Sequence, residues 1–309
     1  MKLLVTGGAG YVGCVLVPHL LAHGHQVRVL DNLMYGGRGL LACFADRGFE
    51  FVKGSILDEQ RVRQGLEGAD AVIHLAGIVG YPACKRDPRL AHEVNLEGTR
   101  FLERLRRRDQ PILFASTGSN YGAVVGAICT EGTPLNPLSE YGVTKTAAER
   151  HLLEAGNAIC YRFATAFGVS PRMRFDLLVN DFVYQAKLNK DLIVYERSFK
   201  RTFIHVRDMA RAFTFALGNY RELRDDVYNV GSEEMNYNKE EIALLIRKKV
   251  DYYLHFAEIG KDEDQRNYEV SYAKIEAKGF KTEVDMESGI EELIQAVDLI
   301  VLKNEYGNI

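Results

Sequence analysis

The sequence predicts an α/β protein built on a doubly wound parallel sheet, with a smaller, mixed α/β lobe toward the C-terminus. Three observations predict this fold class. Short β-branched runs alternate with helical patterns in the first half of the chain, as in a parallel sheet covered by helices on both faces. The alternation loosens after residue 168. With 309 residues the chain is long for one compact core, so two lobes are expected.

The predicted elements follow from hydrophobic periodicity, segment length and flanking turn residues. Apolar runs in the first half predict strands at residues 2–5, 26–30, 49–53, 69–74, 111–116 and 158–163. Helical patterns there lie at residues 11–22, 89–107 and 139–154. Further along, the patterns predict helices at 175–186, 205–217, 239–249 and 286–302, and strands at 191–195, 201–206 and 227–230. This order of strands and helices indicates a Rossmann-like sheet.

The composition argues against several classes of protein. Hydrophobic residues make up 47% of the chain and charged residues 26%, as in an ordinary folded protein. A formal net charge of −3 at pH 7 argues against bulk attraction to nucleic acid or to an anionic membrane. No run of about 18 apolar residues occurs, and the N-terminus has no long apolar signal region. We therefore expect a cytoplasmic protein without a nucleic-acid or membrane partner.

The five cysteines are too far apart in sequence to form a metal or redox pair. No two of them are closer than 29 positions, and their odd number argues against a disulfide framework. We interpret them as small buried apolar residues and predict no metal site. The cysteines are Cys14, Cys43, Cys84, Cys129 and Cys160.

A glycine-rich segment between the first strand and the first helix points to a bound dinucleotide. Gly7, Gly10 and Gly13 recur every three residues within Thr-Gly-Gly-Ala-Gly-Tyr-Val-Gly, residues 6–13. Such glycines permit a tight turn, close approach of a pyrophosphate to the backbone and close packing of helix on strand. The N-terminus of the helix then offers free N–H groups and a positive dipole end to the anion.

An acidic residue at the end of the second predicted strand helps to distinguish between NAD and NADP as the bound dinucleotide. Asp31 follows Gly13 by 18 residues and can accept hydrogen bonds from both adenosine ribose hydroxyls. Its charge would repel a 2′-phosphate by roughly 4 kcal/mol at about 4 Å and an effective dielectric constant near 20. NAD is therefore favoured over NADP, although Arg28 and Arg38 are near in sequence and leave the preference open.

A tyrosine and a lysine on one predicted helix supply the candidate chemistry. Tyr141 and Lys145 are four residues apart, so their side chains lie on one face of the helix. A tyrosine has an ordinary pKa of about 10, and lowering that pKa to near 7 needs roughly 4 kcal/mol of differential stabilisation. A neighbouring ammonium group and a positive nicotinamide ring both favour the phenolate, so we predict that Tyr141 accepts a proton.

Hydroxyl side chains follow the strand predicted at residues 111–116. Ser116, Thr117 and Ser119 lie where the carboxyl ends of parallel strands gather ligands. A hydroxyl at this place can hydrogen-bond a substrate oxygen as its proton moves. We choose Thr117 for that role and treat Ser116 and Ser119 as candidate substrate contacts.

Several motifs, in order along nearly the whole chain, resemble those of extended short-chain dehydrogenases/reductases of the NAD-dependent epimerase/dehydratase family. The resemblance implies NAD as the cofactor and a nucleotide-diphosphate sugar as the substrate. We accordingly assign residues 1–168, with a return at 202–231, to an NAD-binding Rossmann domain, and residues 169–201 and 232–309 to a nucleotide-sugar-binding lobe. The motifs lie at residues 6–13, 31–32, 74–77, 95–99, 116–122, 141–145, 162–168, 201–208 and 228–231.

The resemblance also implies a role for individual residues. It makes Thr117, Tyr141 and Lys145 the catalytic set, and it places Lys145 at the nicotinamide ribose as well. The other residues expected to bind the cofactor are Gly7, Gly10, Tyr11, Val12 and Gly13 at the pyrophosphate, Asp31 and Asn32 at the ribose, Ser55 and Ile56 at the adenine, and Leu75, Ala76 and Gly77 along its length. Residues expected to contact the substrate are Ser116, Ser119, Thr165, Arg172, Arg174, Asn180, Arg201 and Arg266.

The resemblance leaves several reactions to choose from. Their shared first step is loss of a hydride from C4 of the sugar to NAD, while the tyrosine removes the hydroxyl proton. Relatives that dehydrate carry a carboxylate directly after the catalytic threonine, whereas this chain has Gly118 and Ser119 there. Neither residue can serve as a carboxylate acid or base, so 4-epimerisation or net 4-dehydrogenation is favoured. A 4,6-dehydratase or reductase of the same family, or a non-catalytic NAD-binding regulatory protein, remains as an alternative.

Two finer expectations come from the same resemblance. Residues 168–182, together with 84–88 and 264–268, resemble enzymes that oxidise C4 of GDP-manno-heptose. Enzymes of the family pair through the two helices predicted here at residues 89–107 and 139–154. We therefore expect a homodimer.

Overall fold

The structure is a computed structural model that describes residues 1–124, 127–258 and 268–300. Strands β1–β7 are Lys2–Thr6, Gln26–Asp31, Phe49–Lys53, Ala71–His74, Ile112–Thr117, Ile128–Cys129 and Ala158–Phe163. Strands β8–β14 are Thr165–Phe167, Asp191–Tyr195, Lys200–His205, Asp226–Val230, Asn236–Asn238, Tyr253–Ala257 and Glu269–Val270. Helices α1–α6 are Gly13–Ala22, Glu59–Leu66, Tyr81–Arg86, Pro88–His92, Gly98–Leu105 and Glu140–Ala155. Helices α7–α12 are Leu178–Tyr184, Val206–Gly218, Tyr220–Leu223, Lys239–Arg247, Ala273–Glu276 and Met286–Ala296.

Seven parallel strands form the large sheet, in the order β3-β2-β1-β4-β5-β7-β11. Its central strands are almost completely buried, which explains why they read as continuous apolar runs in the sequence. The strand order reverses between β1 and β4, and ligands of open α/β sheets bind beside such a reversal. The predicted fold class is confirmed.

The smaller lobe contains the predicted strands β9 and β10 and several further strands that the sequence patterns did not reveal. β8, β10 and β12 form a three-stranded sheet, β9 pairs with β13, and β14 pairs with β6. Strands of two or three residues such as β6, β8 and β14 are too short for a periodic pattern. A separate apolar cluster fills this lobe and includes Phe167, Phe203, Ile242 and Ile290.

The predicted return of residues 202–231 to the first domain is only partly visible in the sheets. β11 joins the large sheet beside β7. β10 instead lies in the three-stranded sheet, parallel to β8 and antiparallel to β12. The division into an NAD-binding domain and a sugar-binding lobe stays a prediction.

Three predicted helices differ from the helices of the structure. The helix predicted at 89–107 is interrupted by a π-helical turn at Glu93–Glu97, in which Asn95 is bonded to the segment after β4. The helix predicted at 175–186 begins only at Leu178, because the backbone of Leu177 is extended, with a φ of −87° and a ψ of 132°. The helix predicted at 286–302 ends at Ala296, before a 3-10 turn.

None of the described helices is both long enough and apolar enough to span a bilayer.

Candidate active site

A cavity follows the carboxyl edge of the large sheet and passes under the smaller lobe. Residues after β1, β2, β3, β4, β5 and β7 line it, so it lies where the topology of the sheet places ligands. Its lining includes every residue expected to bind the cofactor: Gly7, Gly10, Tyr11, Val12, Gly13, Asp31, Asn32, Ser55, Ile56, Leu75, Ala76, Gly77, Tyr141 and Lys145.

The turn after β1 can pack as closely against its neighbours as it does only because its residues are glycines. Gly7 has a φ of 72°, in the left-handed region that favours glycine. A Cβ at this position would lie 2.6 Å from the backbone nitrogen of Ala76. A Cβ at Gly13 would lie 2.4 Å from the carbonyl oxygen of Gly8. The turn therefore forms a cradle at the N-terminus of α1, as a dinucleotide pyrophosphate requires.

Asp31 lies at the end of β2 and is held by the glycine turn. One carboxylate oxygen accepts a hydrogen bond from the Ala9 backbone N–H at 3.0 Å, and the other accepts from the Leu33 N–H at 2.7 Å. Burial raises the pKa of Asp31 above its usual value, and these two hydrogen bonds act in the opposite direction. Arg28 points elsewhere, since its guanidinium donates to the carbonyl oxygens of Gln64 and Glu67 at 2.7 Å each. Arg28 is therefore not available to a 2′-phosphate.

Helix α6 presents the tyrosine and lysine to the cavity. Its start is capped by the Ser139 hydroxyl, which accepts from the Gly142 N–H at 3.2 Å. Tyr141 and Lys145 follow in the first two turns, and both line the cavity together with Thr117 from the end of β5. The structure thus brings the predicted catalytic set together. The Thr117 hydroxyl donates to the Ser119 hydroxyl at 3.1 Å.

Lys145 is buried beneath the cavity. Its Nζ lies 3.8 Å from the centroid of the Phe114 ring, a cation–π contact. Burial lowers the pKa of Lys145 from 10.5 to about 7, and the neighbours Cys160, Glu149 and Cys84 oppose this shift. Because the amine titrates near neutral pH in the protein alone, modest changes in its surroundings decide whether it is charged.

The structure places five of the eight predicted substrate contacts in the cavity lining. Arg172 lies with its guanidinium 4.5 Å from the centroid of the Tyr35 ring. Arg174 makes a two-point ion pair with Asp176, with N–O distances of 3.1 and 2.5 Å. The five residues are Ser116, Ser119, Thr165, Arg172 and Arg174.

Asn180 and Arg201 do not belong to the lining of this cavity. Asn180 is fully buried, and its amide accepts from the Gly168 N–H at 3.0 Å and donates to the Arg174 carbonyl at 2.9 Å. Its role as a diphosphate contact stays a prediction, and in this structure its amide braces the segment that carries Arg174. Arg201 lies on β10 and is 3% exposed. Arg266 lies outside the described residues.

The sequence analysis missed two residues that shape the cavity. Asn95 accepts from the Ile78 N–H at 2.7 Å and donates to the Thr144 hydroxyl at 3.2 Å, so it ties the segment after β4 to helix α6. Tyr268 lines the cavity, and its hydroxyl would lie 3.1 Å from a Cβ at Gly118. The motif at residues 95–99 could have identified Asn95, whereas nothing local to Tyr268 predicts that it meets Gly118.

Comparison with known proteins identifies the family. The profile of the NAD dependent epimerase/dehydratase family matches residues 3–231. The chain belongs to this family. A dTDP-glucose 4,6-dehydratase of Actinoplanes sp. is 31% identical over 95% of this chain and 97% of its own length. A UDP-glucose 4-epimerase of Halalkalibacterium halodurans is 32% identical over 80% of each chain.

A solved structure shows the same fold with cofactor. The crystal structure of the UDP-glucose 4-epimerase of Thermus thermophilus in complex with NAD superimposes with a TM-score of 0.85 and 27% identity, covering 97% of this chain and 100% of that one. As a member of this family, the chain is an NAD-dependent enzyme. The glycine cradle and the carboxylate of Asp31 fit the pyrophosphate and the unphosphorylated ribose of NAD. Among the described residues, no group of three or more His, Cys, Asp or Glu side chains is arranged to hold a metal ion.

Proposed function

We propose that this enzyme oxidises the C4 hydroxyl of a nucleotide-diphosphate sugar, acting as a 4-epimerase or as a net 4-dehydrogenase. One observation carries the proposal: a single cavity joins the glycine cradle to Thr117, Tyr141 and Lys145. Both named relatives act on nucleotide sugars, a dTDP-glucose in one case and a UDP-glucose in the other.

The side chains divide the chemistry among them. The phenolate of Tyr141 accepts the proton of the C4 hydroxyl, and the ammonium of Lys145 stabilises that phenolate. Thr117 hydrogen-bonds the sugar oxygen as the proton leaves. NAD held at the glycine cradle would supply the acceptor for the hydride of C4. Arg172 and Arg174 supply guanidinium donors suited to phosphate oxygens or sugar hydroxyls.

The position after Thr117 favours epimerisation or dehydrogenation over dehydration. Elimination of water next to a 4-ketone requires a group that removes the adjacent proton and one that protonates the leaving hydroxyl. Gly118 has no side chain, and the Tyr268 hydroxyl would meet a Cβ there at 3.1 Å. Ser119 donates its backbone N–H to the Thr117 hydroxyl at 3.1 Å and has no carboxylate to offer.

A 4,6-dehydratase is the second candidate. The relative from Actinoplanes bears that name and aligns over 95% of this chain. Product analysis separates the two candidates, because dehydration yields a 4-keto-6-deoxy sugar whereas epimerisation and dehydrogenation retain the oxygen at C6. A product that has lost water would show that the enzyme is a 4,6-dehydratase.

The experiment is a panel of nucleotide sugars, including GDP-manno-heptose, GDP-hexoses, UDP-hexoses and dTDP-hexoses, incubated with the protein and NAD. Absorbance of NADH and the sugar products are followed together. We expect turnover of at least one nucleotide sugar, and we propose a GDP-heptose as the preferred one because residues 168–182 resemble enzymes with that substrate. If NAD binds but no sugar on the panel changes either signal, the proposed reaction is wrong.

We further propose a cytoplasmic homodimer that pairs through α4 and α5, in the segment predicted as a helix at residues 89–107, and through α6. Leu138, just before α6, and Val143, on α6, are 57% and 47% exposed in the single chain. Pairing of two chains through this helix would cover both apolar side chains. Light scattering at micromolar concentration is expected to give the mass of two chains, and a monomer mass would contradict the pairing.

A further inference from the structure

A buried carboxylate lies directly behind the proposed catalytic set. Glu149 is on α6, one helical turn after Lys145, and its side chain is 1% exposed. It forms an ion pair with Arg162 of β7, whose side chain is 5% exposed, at 2.6 Å. A carboxylate in such a place is retained only when hydrogen bonds and a cation compensate for its lost hydration.

The second oxygen of Glu149 reaches the cavity wall. It accepts a hydrogen bond from the Ser116 hydroxyl at 2.5 Å, and the Asn120 amide donates to it at 3.2 Å. Ser116 lines the cavity next to Thr117. Because its proton is donated to Glu149, the Ser116 hydroxyl is left to accept, and it does so from the Asn120 amide at 3.1 Å.

Arg162 connects this carboxylate to the rest of the large sheet. Its guanidinium also donates to the Tyr121 hydroxyl at 3.0 Å, and that hydroxyl donates to the Asn229 amide oxygen at 2.6 Å. Tyr121 and Asn229 are both completely buried. The network therefore fixes the position of the Glu149 carboxylate through residues that follow β5 and lie on β7 and β11.

We propose that Glu149 is a positioning residue of the reaction: it supplies the negative charge that keeps Lys145 an ammonium ion, and it fixes the Ser116 hydroxyl at the cavity wall. The inference rests on the proposed function, in which the ammonium of Lys145 stabilises the phenolate of Tyr141. Residues four apart on a helix face one another, so the carboxylate acts on Lys145 across one turn.

Four other titratable groups lie around Lys145: Tyr141 on the same helix, His74 on β4, Cys84 on α3 and Cys160 on β7. Tyr141 is the phenol whose deprotonated form Lys145 stabilises in the proposed reaction, and the other three are neutral near pH 7. Burial raises the pKa of Cys84 to about 11 and that of Cys160 well above its ordinary value, so both thiols stay neutral. Burial lowers the pKa of His74 to about 3, so this imidazole is neutral too.

The direct test is the titration of Lys145 itself, in protein without substrate. Lysine is labelled at Cε, and the signal that Lys145→Met removes is assigned to Lys145. Wild-type protein is expected to show a midpoint near the pKa of about 7. Glu149→Gln keeps the shape of the side chain and removes its charge, so the midpoint should fall by about one pH unit or more.

The matched control is Glu154→Gln, which removes the same charge from an exposed position on the same helix. Its midpoint should stay within about 0.2 units of the wild type. An unmoved midpoint in Glu149→Gln, or an equal fall in both variants, would overturn the proposal.

A second variant covers the case in which Glu149→Gln does not fold, because Arg162 then lacks its partner. Replacing both residues, Glu149→Met with Arg162→Met, exchanges the ion pair for apolar contacts, an exchange that proteins often tolerate. The double variant is expected to fold and to show a lowered Lys145 midpoint. A folded double variant that keeps the wild-type midpoint would also overturn the proposal.

Turnover provides the second readout. Since the active form carries a protonated Lys145, loss of the Glu149 charge should move the basic limb of the kcat/KM profile to lower pH. If Glu149 had a merely structural role, its replacement would lower activity equally at every pH and leave the basic limb in place. That result would contradict the proposal. The titration of Lys145 needs no sugar, so failure of the proposed reaction and failure of this inference give different results.

Discussion

The two halves of the cavity are held in different ways. In the cofactor half, the lining follows directly from the ends of β1 to β4, and its geometry depends on backbone and on glycines such as Gly7. In the substrate half, Arg172 and Arg174 lie on the segment between β8 and α7, which is braced by Asn180 and by the Asp176 ion pair. A recognisable glycine spacing therefore specifies the first half, whereas the second depends on a buried amide and an ion pair that follow no periodic pattern.

The largest expected effect lies where the two halves meet. Tyr141→Phe removes the proton acceptor and should lower kcat by about 10³-fold, within the range typical of general base catalysis. NAD binding should be retained, because the cradle is untouched. Stopped-flow turnover and NAD titration by calorimetry check the two parts. Normal turnover in the variant would reject Tyr141 as the base.

A second prediction concerns the charge of Lys145, which lies next to Tyr141 where the two halves of the cavity meet. Burial lowers its pKa from 10.5 to about 7, so the ammonium form costs more in the folded chain than in the unfolded chain and protonation destabilises the fold. The penalty is complete below about pH 7 and disappears as the pH rises toward 10.5.

Lys145→Met should therefore raise the free energy of unfolding of NAD-free protein. The increase should be on the order of 4 kcal/mol below pH 7 and should vanish near pH 10.5. Denaturant unfolding across this pH range measures the difference. Lys278→Met, at an exposed lysine, is the control and should show no such dependence. A gain in stability that does not vary with pH would contradict the assigned shift.

In the cofactor half, Gly7→Ala should abolish the cradle. The new Cβ would meet Ala76 nitrogen at 2.6 Å while the residue is held at a φ of 72°. NAD affinity should fall by about 100-fold, because the turn must move to relieve the contact. Gly24→Ala is a matched control, with a φ of 77° and no heavy atom within 4 Å of its Cβ. Similar NAD affinities for the two variants would show that the cradle does not bind the cofactor.

In the substrate half, Asn180→Ala should loosen the segment that carries Arg174. It removes hydrogen bonds to Gly168 and Arg174 and leaves buried partners unsatisfied, at a cost of about 2–3 kcal/mol in the free energy of unfolding. KM for the nucleotide sugar should rise by about 10-fold, with NAD affinity changed much less. Asn189→Ala, at an exposed position near the end of the same helical segment, should change neither. An equal loss of NAD affinity in Asn180→Ala would remove the distinction between the halves.

How far the sequence could predict each half follows from the same distinction. The glycine turn, Asp31 and the Tyr141–Lys145 pair are recognisable because their spacing is set by one strand, one turn or one helix. Asn180 has a suitable chemistry for a diphosphate, yet its orientation depends on Tyr11 and Gly168, which are distant in sequence. The meeting of Tyr268 with Gly118 could not be predicted, because it depends on how a late segment returns to β5.

The smallest expected effect concerns the contact between Gly118 and Tyr268. Gly118→Ala places a Cβ 3.1 Å from the Tyr268 hydroxyl, so the phenol must shift by a few tenths of an ångström. KM for the nucleotide sugar should rise by about 3-fold. Adding Tyr268→Phe removes the crowded oxygen, and the double variant should lose less than the sum of the two single variants. Strict additivity would mean that the two residues do not interact.

The central claim is that one cavity brings C4 of a nucleotide sugar to Tyr141 beside the cofactor cradle. Its most direct test is a single-turnover reaction with a nucleotide sugar that carries deuterium at C4, followed by mass analysis of the cofactor and the sugar. In the wild-type protein we predict that deuterium reaches the cofactor, where it stays if the sugar leaves as a 4-ketone and from which it returns to C4 if the product is the epimer. In Tyr141→Phe the deuterium should remain at C4 of unconverted sugar. Conversion of the sugar without any deuterium on the cofactor at any time point and without a primary isotope effect would contradict the account.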